Sequence, residues 1–190
     1  MIGKLILYVG PMMAGKTERL LSDVAPLQYS PTIKFTVIQP EKNSRDGKAL
    51  KSRSGSQLKD SASLKFVAKM PSFEELGDNQ VVAIEEFHFF GDEMIEVVAK
   101  LLLHGVTVHA AGLDMDYRGN LTSRYKDLLE LAPHKVILCR AVCTVCGAYA
   151  AQYTQIYRDE VPVLDGAPEI IPEDGTYRYA PVCRGCFRRV

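Results

Sequence analysis

With 190 residues, 47% of them hydrophobic, the chain can bury a full core, so nothing suggests global disorder, and its length fits one ordinary domain or one with a small appendage. Its 23 basic and 23 acidic residues cancel, so it lacks the positive footprint of a protein whose main partner is nucleic acid or an anionic membrane. No apolar run approaches the roughly 20 residues of a membrane helix. The first residues enter a strand with no room for a cleavable leader, so a cytoplasmic location is expected, where five cysteines suit metal binding better than disulfides.

The apolar run at residues 4–9 predicts a buried strand. Gly10-Pro11-Met12-Met13-Ala14-Gly15-Lys16-Thr17 follows it and matches G-x-x-x-x-G-K-T. Leu20, Leu21, Val24 and Leu27 then recur at helical spacing. In a strand–loop–helix of this kind, backbone N–H groups and the helix N-terminus surround a polyphosphate. Lys16 reaches the outer phosphates, and the Thr17 hydroxyl is placed to ligate Mg²⁺. A nucleoside triphosphate site is the expectation.

Residues 34–39 predict a second strand. Residues 40–62 carry no apolar period but hold Lys42, Arg45, Lys48, Lys51, Arg53 and Lys59 among Ser and Gly. Two readings stay open there: a solvated linker, or a lid that folds Arg45 and Arg53 over bound phosphates. A short strand at 64–68 precedes a helix start with Ser72 and Glu75 at capping-box spacing. The continuous apolar run at 80–84 suits a strand buried on both faces of a parallel sheet. A helix over 92–104 stopped by Gly105, a strand over 106–112, a helix over 123–131 and a strand over 135–138 complete the alternation. The expected fold is α/β, a P-loop NTPase-like parallel sheet flanked by helices, with ligands at the carboxyl ends of the strands. From Cys139 onward the chain turns rich in Tyr, Pro, Arg and Gly, so residues 1–138 are read as the nucleotide-binding domain and 139–190 as a small zinc-binding lobe.

Glu85 and Glu86 stand where the apolar strand leaves the core. Adjacent acids at a strand end point in different directions. One of them can serve the Mg²⁺ site opposite Thr17 while its neighbour accepts the proton of an incoming hydroxyl; the other reading leaves one acid as a solvated strand-end residue. His88, in Phe-His-Phe-Phe, is read as packed or hydrogen-bonded before it is read as catalytic, and the surrounding phenylalanines as core before one of them is read as lining a ring-binding pocket.

Cys143-x-x-Cys146 and Cys183-x-x-Cys186 are two knuckles separated by 36 residues, a Cys₄ set for structural zinc, with redox cysteines as the other reading. Cys139 is left as a buried free thiol. The clamp turns 147–182 into a tethered loop that can lie across a pocket mouth. Its Thr154, Gly166, Tyr177 and Tyr179 suit a neutral polar ligand better than phosphate.

Taken together, Gly10 to Thr17, Glu85-Glu86-Phe87-His88-Phe89-Phe90, Leu113 to Gly119 and the two cysteine knuckles resemble the type II thymidine kinases over nearly the whole chain. The resemblance implies transfer of the ATP γ-phosphoryl group to the 5′-hydroxyl of thymidine or deoxyuridine, giving dTMP in pyrimidine salvage. It implies Glu86 as catalytic base, Lys16 and Thr17 serving phosphates and magnesium, and Arg45 arriving from the lid. It implies a nucleoside pocket of Met12, Phe89, Leu113 and Tyr117, covered by a zinc-tethered lasso with Thr154, Val163, Gly166 and Tyr179. A homotetramer inhibited by dTTP is implied as well. The chain departs from the family pattern at Glu85, His88, Asn43, Asp165, Thr122 and Ile156, and residues 170–176 look like an insertion. Two other functions stay open: a P-loop ATPase whose zinc module works on nucleic acid, supported by Arg184, Arg188 and Arg189, and a nucleotide-binding regulator without turnover.

Overall fold

The computed structural model describes residues 2–41, 58, 63–170 and 175–189. The expectations placed on Asn43, Arg45, Arg53 and most of the lid, and on residues 171–174 of the insertion, lie outside the described residues.

Six parallel strands form the main sheet: β1 Leu5–Val9, β2 Phe35–Pro40, β3 Leu64–Val67, β4 Val81–Ile84, β5 Thr107–Gly112 and β6 Lys135–Leu138. They lie in the order β3-β2-β4-β5-β1-β6. Side chains alternate across a strand, so β1 feeds two cores at once. Leu5, Leu7 and Val9 join Met94, Val98 and Leu101 of α3 (Glu93–Leu103) and Leu128 of α4 (Ser123–Glu130). Ile6 and Tyr8 turn to the other face and meet Leu20, Leu21 and Val24 of α1 (Lys16–Val24). Burial on both faces is what the uninterrupted apolar runs predict.

The first helix is shorter than its apolar spacing implies. It ends at Val24, and Ala25–Tyr29 continues as a 3₁₀ turn. Pro26 is the reason, since it supplies no N–H and fits only the first positions of a helical segment. A polar contact pins α1 to the sheet: the Tyr8 hydroxyl donates to the Asp23 carboxylate, and His109 Nδ1 lies 2.7 Å from the Tyr8 hydroxyl oxygen. The short α2 (Phe73–Leu76) carries the anticipated capping box, with Ser72 N–H donating to Glu75 Oε2 at 2.9 Å. Leu58, within a stretch that shows no apolar period, is buried in the α1-side core.

Beyond β6 the chain forms a second, antiparallel sheet of β7 (Tyr153–Arg158), β8 (Val161–Pro162) and β9 (Arg178–Val182), ordered β8-β7-β9. The Tyr153 and Phe187 rings stack at 4.4 Å beside the cysteines. Among the described residues no helix is long and apolar enough to cross a membrane.

Candidate active site

The loop from Gly10 to Thr17 joins β1 to α1 at the carboxyl edge of the sheet. Gly10 is required by close approach: a Cβ there would lie 2.4 Å from the Cys139 carbonyl oxygen. Gly15 caps α1 in the left-handed region at φ 73°, a conformation that costs a residue with a side chain more. Lys16 is buried and donates from Nζ to the Pro11 carbonyl at 2.8 Å, curled over its own loop. Met12, also buried, donates its N–H to Thr154 Oγ1 at 3.0 Å, which joins the loop to β7.

The two acids after β4 diverge, as their position requires. Glu85 is buried and accepts from the Thr17 hydroxyl through Oε1, while its Oε2 has no hydrogen-bond partner among the described residues. Burial, then the neighbouring Glu86 charge, holds the Glu85 carboxyl above the ordinary carboxylate range against the pull of Thr17 and Lys16. A divalent cation at the free oxygen would favour the ionised form, so Thr17 and Glu85 fit the magnesium that nucleotide phosphates bring. Glu86 occupies the left-handed region at φ 48° and ψ 49°, which swings its side chain away from its neighbour. Its Oε2 also has no hydrogen-bond partner among the described residues.

His88 sits in the 3₁₀ turn Phe87–Phe89 directly after the acids. Leu113 N–H donates to its Nδ1 at 3.2 Å, and its Nε2 lies 3.5 Å from Glu86 Oε2. Burial draws the imidazole down to about 4, against the pull of Glu86, so the ring is neutral near pH 7. The hydrogen-bonded reading of His88 holds. Of the phenylalanines, Phe87 and Phe90 are core, whereas Phe89 is half-buried with its ring 4.5 Å from the His88 ring.

The loop after β5 meets the antiparallel sheet. The Tyr117 hydroxyl donates to the Ala167 carbonyl at 2.9 Å and accepts from the Ala167 N–H at 3.0 Å. Its ring clusters with Ile156, Ala167, Val163 and Tyr179. Arg118 reaches Asp165 at 3.7 Å, and Ser123 donates its N–H to Glu169 Oε1 at 2.6 Å. Gly166, at φ 81°, lies between these anchors with open space around it.

The four knuckle sulfurs lie within 4.8 Å of one another. Cys146 and Cys183 are 3.8 Å apart, the edge expected for a tetrahedron with metal–sulfur bonds of about 2.3 Å. Burial opposes ionisation of Cys143, yet the backbone N–H groups of Cys146, Cys183 and Val145 draw its thiol down to about 6. A hydrogen bond with Cys183 pushes Cys186 up to about 12. Four sulfur donors converging in so small a volume suit a cation. A metal such as zinc fits. Cys139 is buried outside this set.

Among the anticipated site residues, the structure joins Lys16 to the loop Gly10, Pro11, Met12, Met13, Ala14, Gly15, Thr17 to Glu85, Met12 to Thr154, His88 to Glu86 and Leu113, and Tyr117 to the Val163 and Tyr179 side. Arg45 alone of the expected catalytic residues lies outside the described residues. Sequence reasoning gave no role to Asp114, which lies in the Leu113–Gly119 stretch, and named Thr122 only as a departure from the family pattern. Asp114 is buried, its Oδ1 has no partner among the described residues, and burial raises its carboxyl. Thr122 is fully buried, donates to the Leu113 carbonyl at 3.1 Å and caps α4. An acid and a cap residue flanking a loop at a strand end were the available signals.

The family model described as thymidine kinase matches residues 3–187. A thymidine kinase of Pseudothermotoga lettingae is 32% identical over 192 residues, covering 100% of this chain and 97% of the relative. A thymidine kinase of Mycoplasmoides gallisepticum is 32% identical over 92% of this chain and 76% of its own length. A thymidine kinase of Chloroflexus aurantiacus is 31% identical over 97% of this chain and 94% of its own length.

Proposed function

This chain belongs to the thymidine kinase family, and we propose that Glu86, Lys16 and Thr17 are the residues through which it works. It is an ATP:thymidine 5′-phosphotransferase, moving the γ-phosphoryl group of ATP to the 5′-hydroxyl of thymidine. The observation that carries the residue assignment is the divergence of the adjacent acids. Glu85 is bound to the phosphate-loop Thr17, and Glu86 is turned off that line with a free carboxylate oxygen.

The loop N–H groups and Lys16 hold the triphosphate and offset charge on the transferring group. Thr17 and Glu85 would hold magnesium, which would supply charge neutralisation to the phosphates. Glu86 accepts the proton of the 5′-hydroxyl as that oxygen attacks phosphorus, and the bond from phosphorus to the ADP oxygen breaks. Arg45 would stabilise the transferring group from the lid. Met12, Phe89, Leu113 and Tyr117 would line the nucleoside pocket, with Thr154, Val163, Gly166 and Tyr179 covering it. Zinc in the Cys143, Cys146, Cys183 and Cys186 set would brace that cover.

The same reading includes a cytoplasmic enzyme of pyrimidine salvage, a division at residue 138 into nucleotide-binding and zinc-binding domains, a homotetramer and inhibition by dTTP. The residue assignment is tested with Mg-ATP, thymidine and the Glu86→Gln enzyme. Loss of dTMP formation with ATP binding intact supports it, and parental turnover moves the base to Glu85. DNA-stimulated ATP hydrolysis without any dTMP would favour the nucleic-acid reading.

A further inference from the structure

His88 is placed between the two halves of the proposed reaction centre. Its Nδ1 accepts the Leu113 N–H at 3.2 Å. In a neutral imidazole that bond fixes the proton on Nε2. Nε2 in turn lies 3.5 Å from Glu86 Oε2, an oxygen with no hydrogen-bond partner among the described residues. The ring has little freedom to choose another setting: Phe89 lies against it at 4.5 Å and Phe87 meets it edge-on at 6.1 Å. The left-handed backbone of Glu86 aims the Cα–Cβ bond, and none of the described residues hydrogen-bonds Oε2 to set the carboxylate's rotation.

Resting on the reading of Glu86 as the base, we propose that His88 is a positioning residue whose Nε2–H orients the Glu86 carboxylate toward the acceptor hydroxyl. Its Nδ1 ties that orientation to Leu113, so the base and the nucleoside side of the pocket keep one geometry. The contact shortens to a hydrogen bond when substrate closes the site, as long contacts in unliganded sites do. Other side chains can be ranked by the same two bonds. Glutamine offers an oxygen to Leu113 N–H and an amide N–H that reaches Glu86. Asparagine can serve Leu113 but is too short for Glu86. Leucine serves neither.

The test measures single-turnover dTMP formation, and KM for ATP, in the parent, His88→Gln, His88→Asn, His88→Leu, Glu86→Gln and the Glu86→Gln/His88→Asn double variant. The expected result is a rate within about threefold of the parent for His88→Gln and roughly tenfold lower for His88→Asn, with KM for ATP unchanged. In the Glu86→Gln background, His88→Asn costs less than about twofold, because it acts through the carboxylate already removed. A parental rate for His88→Asn overturns the proposal. So does an equal loss in His88→Gln, or a tenfold cost that persists in the double variant. His88→Leu adds loss of the Leu113 bond and, where it folds, falls at least as far as His88→Asn; a faster rate than His88→Asn overturns the proposal. Failure of the underlying reading looks different: Glu86→Gln would then turn over like the parent, removing the base and the proposal with it.

Discussion

Met12 N–H donates to Thr154 Oγ1 across 3.0 Å, a buried bond between residues 142 positions apart. It makes one structural unit of the phosphate loop and the antiparallel sheet. A nucleotide that orders the loop would act through this bond on the sheet proposed to cover the nucleoside.

Thr154→Val keeps the shape and removes the acceptor, leaving a buried N–H unpaired. Stability should fall by about 1–3 kcal/mol, and KM should rise for both ATP and thymidine. Thr154→Ser should restore both. Thermal melts and steady-state kinetics check this; a rise confined to thymidine would make Thr154 a base ligand and not a link to the loop.

Tyr117 offers a separable handle on the cover. Its hydroxyl makes two bonds to Ala167, one donated and one accepted. Tyr117→Phe keeps the ring and drops both, so KM for thymidine should rise several-fold with KM for ATP unchanged. Equal effects on the two substrates would assign the hydroxyl to overall stability.

Much of this arrangement was legible in the residues. The strand–loop–helix around Lys16, the paired acids after Ile84 and the spacing of the four cysteines each follow from local pattern, and the structure places them as expected. The links across the site were not legible. That Leu113 N–H meets His88, or that Tyr117 meets Ala167, depends on how β4 and β5 lie side by side and on where the second sheet returns. Neither periodicity nor spacing carries that information. The early end of α1 could have been read from Pro26, since proline fits only the start of a helical segment.

Acid stability should report on His88. Burial holds its folded value near 4, below the ordinary 6.5, so the unfolded chain binds more protons between those values. Its contribution is complete above about pH 6.5 and is lost as the pH falls toward 4. His109 is lowered in the same direction by burial, while the raised Glu85 acts oppositely. Melting points of the parent and His88→Gln across pH 4 to 7 isolate the histidine, which should account for up to about 3 kcal/mol of the difference. Parallel curves would show that His88 titrates normally in the folded chain.

Removing the metal should uncouple the two substrates. Cys183→Ser leaves three thiols of the cluster and should release zinc, weakening thymidine binding by roughly tenfold or more with a smaller effect on ATP. Metal content and two binding titrations check it. Equal losses would mean that the cluster supports the phosphate loop as strongly as the cover.

The most direct test of the account is the single-turnover rate of dTMP formation by Glu86→Gln with Mg-ATP and thymidine. The substitution preserves shape and removes the proton acceptor, so the rate should fall by roughly 10² or more while ATP affinity is unchanged. A parental rate would contradict the account and transfer the role of base to Glu85.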